Sequence, residues 1–247
     1  MKFLLILLSF VIFISDSGKI SELKNNPIPT KENVRNFKSW KPLKVFKKNG
    51  ENHFEWTDER WDKKTDFKFE IEPTKENRTY SSRPTSSLKV KNGWLIGFNK
   101  GEWSGALFWF SDNGKENYLI KEKNVHNILQ LGDRIYITQG LAHLGGDFGT
   151  VSEIAFNKKK WLVAKTEKLS GCPFQSIVFN DKLLILTTKN IVVANSYLEL
   201  TEKVENGFWS SLYPNSVITD KNNAYFGMRG GILKVNLENG NKDWLTE

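Results

Sequence analysis

Four titratable residues of this 247-residue chain, Glu102, His126, His143 and Asp147, are of the types that move protons or hold metals. Two of them lie in the segment 139–149, Q-G-L-A-H-L-G-G-D-F-G, where four glycines flank a histidine and an aspartate. Glycine serves where backbone bends sharply or approaches something closely. The segment therefore reads either as a site presenting His143 and Asp147, joined by Glu102 or His126 from neighbouring repeats, or as a packed loop whose Leu141 and Leu144 plug the fold. A metal needs three or four converging ligands, and glycoside hydrolysis needs two carboxylates across a cleft, here Glu102 and Asp147. No spacing in the chain matches G-x-S-x-G, H-E-x-x-H, a P-loop, G-x-G-x-x-G or an EF-hand loop. The favoured reading is a protein with no catalytic residue, no metal and no cofactor. The single cysteine, Cys172 in S-G-C-P-F, has no second thiol or histidine near it in sequence and reads as an unreactive thiol.

Binding is the chemistry that the remaining residues suit. Trp103, Trp209 and Tyr213 fall in predicted loops, where a flat ring stacks on a sugar or anchors a protein partner. Arg229 falls in a further loop, and together with Glu102, His126, His143 and Asp147 these residues form the candidate binding set.

The elements that must position them repeat. A small turn recurs as Asn49-Gly50, Asn92-Gly93, Gly132-Asp133, Asn180-Asp181 and Asn222-Asn223, at intervals of 43, 40, 48 and 42 residues. Runs rich in β-branched and aromatic residues follow the last four, at 94–98, 134–138, 182–187 and 224–228. Four short strands per interval of this length make one propeller blade. The fold predicted is therefore all-β, a β-propeller of four or five four-stranded blades, with a two-sheet sandwich as the competing architecture. Residues 87–247 supply four clear modules, and 40–86 supply an irregular first blade or closing strands. Within the latter, D-F-K-F-E-I-E at 66–72 alternates like a half-buried strand. In such blades the loops between second and third strands share a rim with the links between blades, and the candidate residues collect on that rim.

The N-terminus reads as a secretory signal over 1–17. Lys2 precedes apolar runs at 3–8 and 10–14, and a small-x-small cleavage site at Ser15, Asp16 and Ser17 leaves Gly18 as the mature start. That run is too short to span a bilayer. Residues 18–39, rich in Lys and Asn with Pro27 and Pro29 and lacking apolar periodicity, read as a disordered tether. The net charge of +8 sits in the N-terminal third: 18 basic against 11 acidic residues over 18–91, and 17 against 16 over 92–247. The excess is interleaved with acids rather than striped along one face, so nucleic acid is not the expected partner. Asn77-Arg78-Thr79 is a glycosylation sequon.

The segment 101–115, G-E-W-S-G-A-L-F-W-F-S-D-N-G-K, resembles a G-E-W-G-G-x-L-W-W-F-type stretch of exported bacterial β-propeller-like proteins of unassigned function. G-L-A-H-L at 140–144 is a second piece of the likeness, which departs at Ser104 where the pattern has glycine. The resemblance implies export and a propeller, and it carries no catalytic residue across. The expectation is an exported, periplasmic or extracellular, monomeric binding or scaffold module. It would recognise a glycan, a cell-envelope component or a protein through one rim. The competing expectation is a carbohydrate-active or metal-assisted enzyme using Glu102, His126, His143 and Asp147.

Overall fold

The echoed pairs mark the hairpins of the five sheets: three are the turn itself, and at Asn92-Gly93 and Asn222-Asn223 the turn lies one residue earlier. The computed structural model describes residues 17–247 apart from 31, 38–39, 59–64, 74, 76, 78–83 and 206. Residues 1–16, all but the last of the segment read as a secretory signal, and much of the loop before Pro84 lie outside the described residues. Strands β1 (Ser17–Lys19) and β2 (Lys24–Asn26) precede the first turn, which links β3 (Leu43–Lys48) to β4 (Glu51–Trp56). Blade two is β5 (Pro84–Val90), β6 (Gly93–Asn99), β7 (Gly105–Phe110) and β8 (Asn117–Glu122). Blade three is β9 (Val125–Leu131), β10 (Arg134–His143), β11 (Gly146–Asn157) and β12 (Lys160–Leu169). Blade four is β13 (Pro173–Phe179), β14 (Lys182–Thr187), β15 (Ile191–Ala194) and β16 (Leu200–Val204). Blade five is β17 (Ser216–Asp220), β18 (Asn223–Met228), β19 (Gly231–Asn236) and β20 (Lys242–Thr246).

All pairing is antiparallel and sequential within blades two to five, so the fold is an all-β propeller of five sheets. The turns between first and second strands are two residues long, as the pairings Lys48 with Glu51 and Phe179 with Lys182 require. Asn49, Gly50, Asn180 and Asp181 all have positive φ, the geometry that such hairpins demand and that Asn, Asp and Gly tolerate. Gly132 follows the same rule, whereas at 221–222 the left-handed residue is Lys221 and at 91–92 neither residue is left-handed.

Blades cohere by burying both faces. Leu95 and Leu107 of blade two meet Ile135, Ile137 and Ile154 of blade three. Tyr136 and Val151 of blade three meet Leu183 and Ile185 of blade four. Leu184 and Leu186 continue into Phe226 and Leu233 of blade five, and Ile218 and Ile232 reach Leu43, Val45 and Phe54 of blade one. The other face of blade two, Ile96, Phe98, Phe108 and Phe110, is covered by Phe67, Phe69 and Ile71. Those three residues belong to the alternating stretch 66–72, which forms no paired strand. Its alternation is real: the odd positions are half-buried and the even ones exposed. An extended chain that packs its side chains on a sheet gives the same period as a strand that pairs with one.

Residues 18–39 are not a disordered tether. β1 pairs with β4 on the outer edge of blade one, leaving that blade three-stranded, and β2 pairs with β20 as a fifth strand of blade five. Val34 is buried, and Phe37 stands edge-on to Trp244 at 5.9 Å. The segment shows no periodicity because the open edges of β4 and β20 supply its hydrogen bonds, and a few scattered apolar anchors suffice. The sequence also gives no sign of β16, whose first four residues are exposed. Asn77 is wholly buried and donates to the Glu72 carbonyl, so the asparagine of the sequon is not presented to solvent.

The seam between blades five and one leaves no room for a side chain at Gly227. An added Cβ would collide with the Leu43 carbonyl and with Ser216 Oγ, which accepts from the Val45 N–H at 2.9 Å. Gly227→Ala should lower stability by about 1–3 kcal/mol, as overpacking does. An unchanged urea midpoint would contradict this seam.

Candidate functional site

At the end of the ring opposite the two-residue hairpins, the second-to-third-strand loops and the interblade links enclose a cavity of about 650 Å³. Three blades and one link supply its wall: Thr85 and Glu102 from blade two, His126 and His143 from blade three, Gln175 from blade four, and Tyr213 from the link into blade five. A volume of this order suits a small organic ligand. The chemistry-bearing rim expected from strand parity is therefore where the cavity lies. The residues expected on it separate into three groups.

The first group is on the wall. The 3-10 helix Gly101–Trp103 brings in Glu102, whose Oε2 lies 2.7 Å from His143 Nε2. Asn124 braces that helix by donating from Nδ2 to the Gly101 carbonyl at 2.7 Å, while its own carbonyl accepts the Gly140 N–H. His126 Nε2 lies 3.1 Å from the Gly140 carbonyl, with Asn99 Nδ2 at 3.3 Å and Cys172 Sγ at 3.5 Å. The Gly140 carbonyl only accepts and the Asn99 amide nitrogen, whose Oδ1 takes the Gly101 N–H, only donates, so Nε2 meets one partner suited to each tautomer. Enclosure by protein pushes the His126 pKa from 6.5 down to about 4, the Gly140 carbonyl opposing the shift. The imidazole is neutral at physiological pH.

Tyr213 reaches the wall through an unusual backbone. Its φ is +53°, a left-handed conformation that costs a bulky residue about 1–2 kcal/mol. The Arg229 guanidinium lies 4.6 Å over the Tyr213 ring, so Arg229 acts here through the tyrosine. The Arg229 N–H also donates to the Leu212 carbonyl, tying the last link to blade five.

The second group builds the wall from behind. Asp147 does not face Glu102. Its carboxylate accepts the Cys172 N–H at 2.7 Å and the Thr188 hydroxyl at 2.7 and 2.8 Å, with Lys189 Nζ at 3.5 Å. Blade three is locked to blade four by this one side chain. Trp209 is a core residue rather than a rim ligand: it is 0% exposed and its Nε1 donates to the Thr187 carbonyl. Chain position alone could not separate a link residue that points outward from one that plugs the space between blades.

The third group stands at the edge. Trp103 is 71% exposed, following the wall residues Gly101 and Glu102. The segment 139–149 is not a wide loop. β10 and β11 run to His143 and from Gly146, joined by a tight turn at Leu144-Gly145 with positive φ at both residues. Leu144 is 93% exposed, so it plugs nothing, whereas Leu141 does line the cavity. The glycines serve close approach: a Cβ at Gly149 would strike the Gly171 carbonyl and Pro173 Cδ.

Cys172, discounted from sequence, lines the cavity between His126 on its sulfur and Asp147 on its N–H. Burial and the Asp147 carboxylate push its thiol up to about 12. A protonated thiol beside a neutral imidazole is not an activated nucleophile. The signal that places it here is three-dimensional, since its histidine lies 46 residues away. Among the described residues no group of three or more His, Cys, Asp and Glu is arranged to hold a metal. What the site offers is hydrogen bonding and aromatic surface in a preformed hollow.

No protein-family model and no curated protein matches the chain. The resemblance carried by 101–115 accordingly stays at the level of fold. Solved structures overlap it at low identity. Virginiamycin B lyase from Staphylococcus aureus does so at 13% identity and a TM-score of 0.47, over 67% of this chain and 56% of that one. The extracellular domain of a putative one-component system from B. thetaiotaomicron does so at 10% identity and a TM-score of 0.49, over 90% of this chain and 29% of that one. Glutaminyl cyclase from Myxococcus xanthus does so at 10% identity and a TM-score of 0.38, over 61% of this chain and 64% of that one. The chain covers less than two thirds of each of these proteins, and they lend it no activity.

His126 makes stability depend on pH with a defined sign. Its pKa is lower folded than unfolded, so the unfolded chain takes up the proton first as pH falls. The neutral ring's contribution is complete above about pH 6.5 and is lost toward about pH 4. At most about 3 kcal/mol is involved. Relative to His126→Phe, the wild type should lose melting temperature across this window. Parallel melting curves for the two proteins would show that the ring is not enclosed as described.

Proposed function

We propose that this chain is an exported propeller that binds a ligand in its rim cavity without transforming it, recognising a glycan, a cell-envelope component or a protein partner. The observation that carries the reading is the cavity itself, walled by three blades and the link into blade five and preformed by contacts behind it: Asn124 under the helix at 101–103, Asp147 behind Cys172, and Arg229 over Tyr213. Such preorganisation lowers the ordering cost of binding. Trp103 at the edge extends the recognition surface beyond the cavity. Export rests on the apolar run at 3–14 behind Lys2. Among the described residues no helix is long and apolar enough to cross a membrane.

Enzymatic use of the same residues is the less favoured reading, because its four members do not act as one group. Glu102 is paired with His143, Asp147 is engaged by blade four, and His126 faces the Gly140 carbonyl.

Trp103→Ala and His143→Ala should abolish retention on arrays of glycans, peptidoglycan fragments or candidate partner proteins. The cost in stability for Trp103 should stay within about 0.5 kcal/mol, as for an exposed side chain. Unaltered retention together with a large drop in melting temperature for both variants would refute this rim as the functional face.

A further inference from the structure

Tyr213 is held on the cavity wall by a backbone that a bulky residue rarely adopts, with φ at +53°. Such strain persists only where the surroundings over-determine it, and it gathers at functional sites. Both neighbours of Tyr213 are pinned. Leu212 is wholly buried; its N–H donates to the Trp209 carbonyl and its own carbonyl accepts the Arg229 N–H, each at 2.9 Å. Asn215 is buried too, and its N–H donates to the Gly227 carbonyl at 2.9 Å. The strain falls on the residue between these anchors. Its ring is thereby kept on the wall, with Tyr213 still 41% exposed.

The two faces of that ring are not equivalent. The Arg229 guanidinium lies 4.6 Å from the ring centroid, and Arg229 itself stays off the cavity wall, so a permanent cation backs the ring from behind. A cation over one face draws the π electrons toward itself. The face turned to the cavity is then less negative than that of an unbacked phenol. Its hold on the C–H groups of a sugar, or on a second cation, is weakened, whereas an electron-rich ring lying flat against it is favoured. Phe174 and Leu141 add apolar surface to the same wall.

Building on the reading of the cavity as a binding site, we infer that its ligand presents an electron-rich aromatic ring, which stacks on Tyr213 with Arg229 behind it. A free aromatic molecule and the indole or phenol side chain of a peptide share this chemistry. Arg229 is then a positioning residue that acts through the ring it covers, and the left-handed backbone of Tyr213 is what aims the platform.

The test is a titration of the full chain, its tyrosine rings ¹³C-labelled, with indole, p-cresol and the blocked peptide acetyl-Gly-Trp-Gly-amide. Cyclohexanol, glucose and tetramethylammonium serve as non-aromatic counterparts, and the Tyr213 resonances are assigned by their loss in Tyr213→Leu. At least one aromatic probe should move those resonances and bind about tenfold or more tightly than every counterpart. A peptide that outbinds indole identifies a protein source for the ring, and the reverse identifies a small molecule. Arg229→Met should weaken the aromatic probes and strengthen tetramethylammonium. Tyr213→Gly should melt about 2–4 °C above Tyr213→Ala, because glycine adopts positive φ without strain. If Arg229→Met fails to fold, the wild-type titrations decide alone. The inference is overturned if no aromatic probe moves the Tyr213 resonances, if any counterpart binds as tightly, if Tyr213→Leu binds the aromatic probes as the wild type does, or if the Gly and Ala variants melt alike. Retention on the arrays that is lost in Trp103→Ala, with no response to any aromatic probe, would sink the aromatic assignment and leave the binding rim standing. Loss of neither would sink both.

Discussion

A four-stranded sheet that is apolar on both faces cannot stand alone in water, and in this chain every such face must be covered by packing, since the only cysteine is free. The solution is to stack sheet on sheet. Blades two to five cover one another in sequence order, blade five is covered by blade one, and the remaining face of blade two takes the side chains of 67, 69 and 71. Steric closeness is part of the constraint. Gly97 packs against Val125 and Gly227 against Leu43, so the blades meet where a methyl group would not fit. The N-terminal segment then holds the outer edges of blades one and five, through β1 on β4 and β2 on β20.

The cavity follows from this arrangement. Once the first hairpins of all blades point to one end, every second loop and every interblade link is carried to the other, where they meet. What turns a gap between loops into a shaped site is a small number of polar locks. Asp147 binds the link before β13 and the β14–β15 turn to the β10–β11 hairpin, which fixes Cys172 and with it one side of His126. Asn124 does the same between blades two and three. Such side chains are positioning residues. They set the geometry of the wall while Glu102, His126, His143, Gln175 and Tyr213 present it.

The sequence made the architecture legible through its turns, because positive φ restricts residue choice to a few types and blade spacing repeats that restriction. The first three strands of blades two to five and the rim of the candidate residues follow from the same reasoning. The failures share one physical cause, namely that burial pattern and hydrogen-bond pattern are separate properties. Residues 66–72 have the burial of a strand without the pairing, whereas β1, β2 and β16 have the pairing with little burial. At the site, sequence position selected Glu102, His126, His143 and Tyr213, which line the cavity, and Trp103 at its edge. It could not foresee that Trp209 turns into the core, that Asp147 and Arg229 act behind the wall, or that Cys172 and Gln175 belong to it. Those distinctions depend on side-chain direction and on neighbours in other blades.

The central claim is that ligand is held at this end of the ring and not at the hairpin end. Hydrogen exchange of the full chain tests it directly, with and without a panel of small sugars, amines, carboxylates and peptides. The account predicts that any member that binds slows exchange at 99–103, 124–127, 139–147, 172–175 and 210–213. Protection gathered instead at the hairpins 49–50, 132–133, 180–181 and 221–222, or along the outer strands alone, would contradict it.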